Sequence, residues 1–79
     1  MTDTINTLAA KLAEDTLKVM DETGDDRFYM EVGNLLAASS QSLEEAFLTA
    51  IRTKMADVKA RAFLADKLRA HRSAQAKTE

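Results

Sequence analysis

Residues 42–70, SLEEAFLTAIRTKMADVKARAFLADKLRA, run without a proline or a glycine. Alanine recurs through the stretch and is the strongest helix former, so one long helix is expected here. Its start is marked by Ser42-Leu43-Glu44-Glu45. This is a capping box, in which the serine oxygen accepts the N3 amide proton and Glu45 accepts the serine amide proton in return. The predicted third helix covers 43–70, about 42 Å at 1.5 Å per residue. Leu48, Ile51, Met55, Val58, Ala62 and Ala65 alternate at spacings of three and four along it. That is the spacing of a coiled-coil seam. The flanking positions Arg52, Lys54, Lys59 and Arg61 are all basic. Two such stripes laid together would juxtapose like charges in either orientation. The pattern therefore argues against a self-paired coiled coil along the middle of this helix, and for an acidic partner surface.

Two shorter helices precede it. Ile5, Leu8, Leu12, Thr16 and Val19 recur at helical spacing, with Ala9, Ala13 and Met20 beside them. They predict a first helix over 4–22, capped by Thr2, Asp3 or Thr4 through a side-chain oxygen. Gly24 ends it, because glycine takes the left-handed conformation without steric cost. Asp25 and Asp26 are N-cap candidates for a second helix over 27–39, with Phe28, Val32, Leu35 and Leu36 as its apolar positions. Gly33 weakens that helix by about 1 kcal/mol relative to alanine. A small residue there also lets a neighbouring helix approach closely. Reading Arg27 to Val32 as a strand leaves it nothing to pair with. Residues 39–42 form the second connection. The expected fold is all-α, a small antiparallel three-helix arrangement whose long C-terminal helix outreaches the other two. A single domain over 1–72 and a polar tail over 73–79 complete the organisation.

The chain has 79 residues, no cysteine and no tryptophan. Without cysteine it has no disulfide, no thiolate nucleophile and no cysteine-based metal site. A domain this small buries only about 60% of its unfolded surface and is marginal alone. Many of its apolar residues are alanines, so the large side chains available to a core are few. The first six residues lack the charged and apolar regions of a signal peptide, and no apolar run approaches the roughly 20 residues that span a bilayer. A cytoplasmic protein without membrane contact is expected. The formal charge of −2 conceals a split. Residues 1–45 hold three bases against ten acids, and residues 46–79 hold eight bases against three. Such a split suits either an intramolecular match of acidic first helix to basic third helix, or a partner surface.

Phe63 and Leu64 fall off the third helix's stripe and Leu68 lies at its edge. A 13-residue second helix does not reach them, so they are expected on an overhang. A large aromatic and two leucines there mark a contact surface. Phe63, Leu64 and Leu68 are the candidate anchors, with Lys59, Lys67, Arg69 and Arg72 as a polar rim. A first helix folded over the same residues is the alternative. A small core commonly gains stability by oligomerising, so a homodimer is expected, with another protein as the other possible occupant.

Catalytic chemistry finds no support. His71, the single histidine, lies between bases with neither companion ligands nor an orienting carboxylate. The run from Asp21 to Asp26 fails the calcium-loop pattern: taking Asp21 as position 1, position 6 is Asp26 and position 12 is Val32. A calcium loop needs glycine and glutamate at those places. There is no phosphate-binding or nucleophile-elbow motif. No enzyme, cofactor or metal is expected. Nucleic-acid binding by the basic C-terminal helix is the competing function. The pI near 5.3 and the lack of asparagine or glutamine before Gln75 in the helix weigh against it.

Overall fold

The structure, a computed structural model, describes the backbone of residues 2–77 and the side chains of residues 4–75. It contains three helices: α1 (Thr2–Thr23), α2 (Phe28–Ser39) and α3 (Gln41–Lys77). No strand occurs among the described residues. The all-α, three-helix expectation holds. Residues 5–6 lie beside the start of α3, and residues 17–21 lie beside Met55 to Lys59. α1 and α3 therefore run in the same direction, and α2 returns between the two connections.

Each boundary has a local cause. The amide of Gly24 donates to the Met20 carbonyl at 2.8 Å, and Gly24 takes φ of 75°. This ends α1 as the glycine predicts. Asp25 is not an N-cap. Its Oδ1 accepts the Arg27 amide at 3.0 Å, while its own amide donates to Thr23 Oγ1 at 3.3 Å. The acidic stretch is thus a tight hydrogen-bonded turn, and α2 starts at Phe28, one residue later than the sequence suggested. Caps assigned to Thr2 and Asp3 lie outside the described side chains.

The second connection is shorter than expected, consisting of Ser40 alone. Ser40 is extended, with φ −157° and ψ 108°, and its amide donates to the Leu36 carbonyl at 2.7 Å. Its hydroxyl oxygen accepts the Leu43 amide at 3.2 Å. Ser40 therefore caps α3, and the Ser42–Glu45 capping box does not form, because Ser42 already lies inside the helix. At its far end α3 continues to Lys77, so there is no break between residues 72 and 73. His71 consequently sits within the helix instead of at its end. Of the expected tail, residues 78–79 lie outside the described residues.

The core is narrow. Ala9, Ala13, Phe47 and Ile51 are buried, with Leu12, Leu17, Tyr29, Val32, Leu36, Leu43, Leu48 and Met55 packed around them. Small residues on α1 let its backbone approach the Phe47 ring. Gly33 does the same for α2: a Cβ there would stand 3.3 Å from Leu48 Cδ2. The faces differ from the predicted stripes in detail. On α1 the buried centre is Ala9–Ala13–Thr16, and Leu8 and Val19 are exposed. On α2, Leu35 is exposed. On α3 the centre is Phe47, with Leu48 displaced to the α2 side. The cause is that α3 serves two neighbours, and a face serving two helices is wider than a coiled-coil seam.

Candidate interaction surface on the third helix

Beyond Lys59, α3 leaves the other two helices. Every described residue from Ala56 to Gln75 is exposed, and the molecule is 60 Å long but only 28 and 13 Å in its other extents. The first helix ends at Thr23, two residues past Asp21, which stands near Lys59, and it does not fold over Phe63, Leu64 and Leu68, all exposed. The segment from Ala56 onward is an arm about 30 Å long at 1.5 Å per residue.

All seven candidate residues lie on this arm. Phe63 is 73% exposed, Leu64 65% and Leu68 46%, and Lys59, Lys67, Arg69 and Arg72 are exposed with them. The helix does not gather the three anchors into one row. Leu64 and Leu68 stand one turn apart on the same face, whereas Phe63 is about 100° round from Leu64. Val58, at the root of the arm, is also largely exposed. Beyond Val58, the stripe drawn through Ala62 and Ala65 is exposed.

The arm's charges are partly matched within the helix. Arg61 Nε lies 2.9 Å from Asp57 Oδ2, and Arg69 Nη1 lies 3.2 Å from Asp66 Oδ1. The remaining ion pair, Lys11–Asp15 at 3.6 Å, is internal to α1. Among the described residues, no ion pair joins α1 to α3. The acidic first helix nonetheless lies alongside the basic third, with Glu14 and Lys54 lining one cleft and Asp21 and Lys59 another, so the two flank each other without a direct ion pair. Lys67 and Arg72 on the arm, and Asp21 and Asp26 at the far end of the body, form no ion pair among the described residues.

At the root of the arm lies a cleft of about 560 Å³. Leu17 and Met20 of α1 and Met55 and Val58 of α3 form its apolar lining, and Asp21, Asp26, Lys18 and Lys59 stand around it with Gly24. Sequence reasoning did not single out this cleft. Its signal lies in the row spacing: Phe47, Ile51, Lys54, Val58, Arg61, Ala65, Leu68 and Arg72 alternate at four and three. The most buried row of the body continues along the arm and passes through the cleft at Val58.

Among the described residues no three histidine or acidic side chains are grouped to hold a metal ion, and no helix is long and apolar enough to cross a membrane. The chain matches no protein-family model, no curated protein and no solved structure.

Proposed function

We propose that this protein is a non-enzymatic helical interaction module that associates with a second copy of itself through the arm of α3. The observation that carries the reading is the exposure of Phe63, Leu64 and Leu68 on a helix with no neighbour. Among the described residues, the large side chains buried completely in the body are Phe47 and Ile51. A core that small gains from oligomerisation. Phe63, Leu64 and Leu68 supply the apolar contact, and Lys59, Lys67, Arg69 and Arg72 surround it. The proposed setting is the cytoplasm.

The same exposed bases support a second reading, in which the arm binds phosphates of a nucleic acid. Against it stand Asp57 and Asp66 on the arm itself, each already paired to an arginine.

Size-exclusion chromatography with light scattering, at low and high salt and read at 260 and 280 nm, separates the two. With one tyrosine and no tryptophan the chain absorbs little at 280 nm, so bound nucleic acid is conspicuous. A homodimer gives twice 8.7 kDa in both salts with no 260 nm excess. Changing Phe63, Leu64 and Leu68 together to aspartate returns that mass to the monomer. A 260 nm excess that disappears at high salt transfers the arm to the phosphate-binding reading. A parent that is monomeric at every concentration refutes self-association.

A further inference from the structure

We propose that Ser40 is a hinge on which the α2–α3 hairpin opens into one continuous helix, Phe28 to Lys77, and that two opened chains exchange their α1–α2 units to form a dimer. This goes beyond the arm reading and uses a different surface, the one that α2 and α3 already bury against each other. Three observations carry it.

The first is the hinge itself. Between residues 28 and 77 only Ser40 lies outside a helix, and no glycine or proline follows Gly33. Ser40 keeps four-residue helical hydrogen bonds on both sides. Its amide donates to the Leu36 carbonyl at 2.7 Å, and its carbonyl accepts the Glu44 amide at 3.0 Å. A rotation of φ and ψ at this one residue therefore joins the two helices. It releases the Leu43 amide from the Ser40 hydroxyl. In return the amides of Gln41, Ser42 and Leu43 gain the carbonyls of Ala37, Ala38 and Ser39 as helical partners.

The second is phase. Tyr29, Gly33, Leu36, Ser40, Leu43, Phe47 and Ala50 alternate at spacings of four and three without interruption. All seven are buried or half-buried, in α2, in the connection and in α3 alike. The faces that α2 and α3 bury thus fall on one side of a continuous helix, as in a coiled coil. The third is pairing. Gly33 lies against Leu48, and Tyr29 and Arg52 line one small cleft. The members of each pair stand equally far before and after the midpoint of residues 40 and 41. A two-fold axis at that midpoint sets Gly33 of each opened chain beside Leu48 of the other. The exchange remakes between chains the contacts that the monomer makes within one. Residues 36–43, which cross at the axis, carry no charge. α1 travels with α2, because the turn between them is fastened: the Arg27 amide donates to Asp25 Oδ1 and the Asp25 amide to Thr23 Oγ1. The arms leave the dimer in opposite directions, and Phe63, Leu64 and Leu68 take no part.

The test exploits the absence of cysteine. Met30→Cys and Arg52→Cys, which both line the α2–α3 cleft, are made in separate full-length chains. The two are mixed, unfolded in urea, refolded at high concentration and oxidised. The mixture is expected to give a covalent dimer of twice 8.7 kDa. Either variant alone is expected to give none, because its two cysteines stand about 30 Å or more apart across the axis. Ser40→Ala removes the cap of the closed turn and supplies the best helix former, so the dimer's Kd is expected to fall tenfold or more. Ser42→Ala, helical in both forms, changes it by less than about threefold. Changing Phe63, Leu64 and Leu68 together to aspartate leaves the cross-chain disulfide yield unchanged, and a yield lost with that variant assigns the dimer to the arm instead. If Ser40→Ala refolds only to monomer, or dimerises while mixed chains form no disulfide, Ser40 is not a hinge, and the arm reading stands or falls on its own test.

Discussion

The tripeptide Ala-Phe-Leu occurs twice in α3, at 46–48 and at 62–64. The first Phe is fully buried and the second is 73% exposed. Both sit on the same helix, so propensity and local pattern are the same for each. What differs is reach. α1 and α2 lie alongside the first tripeptide, and both have ended before the second. Burial in this protein is decided by the lengths of the shorter helices, and those lengths are set by Gly24 and Ser40. The helix that outlasts its neighbours carries its apolar residues into solvent.

Truncating the two phenylalanines tests the comparison most severely. Phe47→Ala truncates the largest fully buried side chain among the described residues and is expected to cost about 3–5 kcal/mol. For a chain of this size that lowers the melting temperature by more than about 12 °C. Phe63→Ala, measured in dilute solution, is expected to change stability by less than about 0.5 kcal/mol. Thermal melts followed by circular dichroism read both. Similar losses at the two positions would mean that the arm is packed within the monomer and that the comparison fails.

The closest approach in the body is the next lever. Gly33 is buried, and a Cβ there meets Leu48 at 3.3 Å. Gly33→Leu adds a full side chain where Leu48 already stands, and is expected to cost about 1–3 kcal/mol through overpacking. Urea denaturation measures it. A neutral result would show that α2 can move off α3 freely, and that the body is looser than its contacts suggest.

Ser40 sets where α3 begins. Its hydroxyl accepts the Leu43 amide, so Ser40→Ala is expected to cost about 1 kcal/mol. Ser42→Ala, two residues on and inside the helix, is expected to leave stability within about 0.5 kcal/mol. The reverse ranking in urea denaturation would restore the capping box to Ser42. These two serines illustrate what the sequence could and could not say.

Periodicity and breakers located all three helices, the left-handed Gly24, the close contact at Gly33 and the overhang itself, because those features are local or follow from length. Choosing among Ser39, Ser40 and Ser42 as the cap requires knowing where the chain turns, and four polar residues in a row offer several equivalent places. The buried faces were harder still. Leu8, Val19 and Leu35 fit their helical spacings yet are exposed, and Phe47 lay one residue off the stripe drawn through Leu48. Small residues, not large ones, mark the face where α1 meets α3, so hydrophobic size pointed to the wrong side of the helix. The cleft at the arm's root joins residues from both ends of the chain. No local pattern brings Leu17 and Met55 together.

The smallest expected effect on the body comes from breaking the arm at its own backbone. Proline lacks the amide that α3 needs and its ring clashes with the carbonyl four residues earlier, which costs about 3 kcal/mol within a helix interior. In Ala60→Pro that cost falls on the exposed turn 56–60, of which Val58 and Lys59 border α1 at the cleft. A helix segment with no packing must live on propensity and on exposed pairs such as Asp57–Arg61, which contribute about 0.3–0.5 kcal/mol each. The arm beyond the proline therefore frays, and roughly a quarter of the helical signal is lost if everything past residue 60 unwinds. The body, held by Phe47 and Ile51 about two to three turns before Val58, keeps its melting midpoint to within about 3 °C at the lowest concentrations measurable. At high concentration the same variant melts below the parent, because an arm that is not helical no longer pairs with a second copy and the parent's concentration-dependent stabilisation is absent. A midpoint that falls equally at every concentration would instead show that the arm stabilises its own body, and the two Ala-Phe-Leu segments would then belong to one cooperative unit.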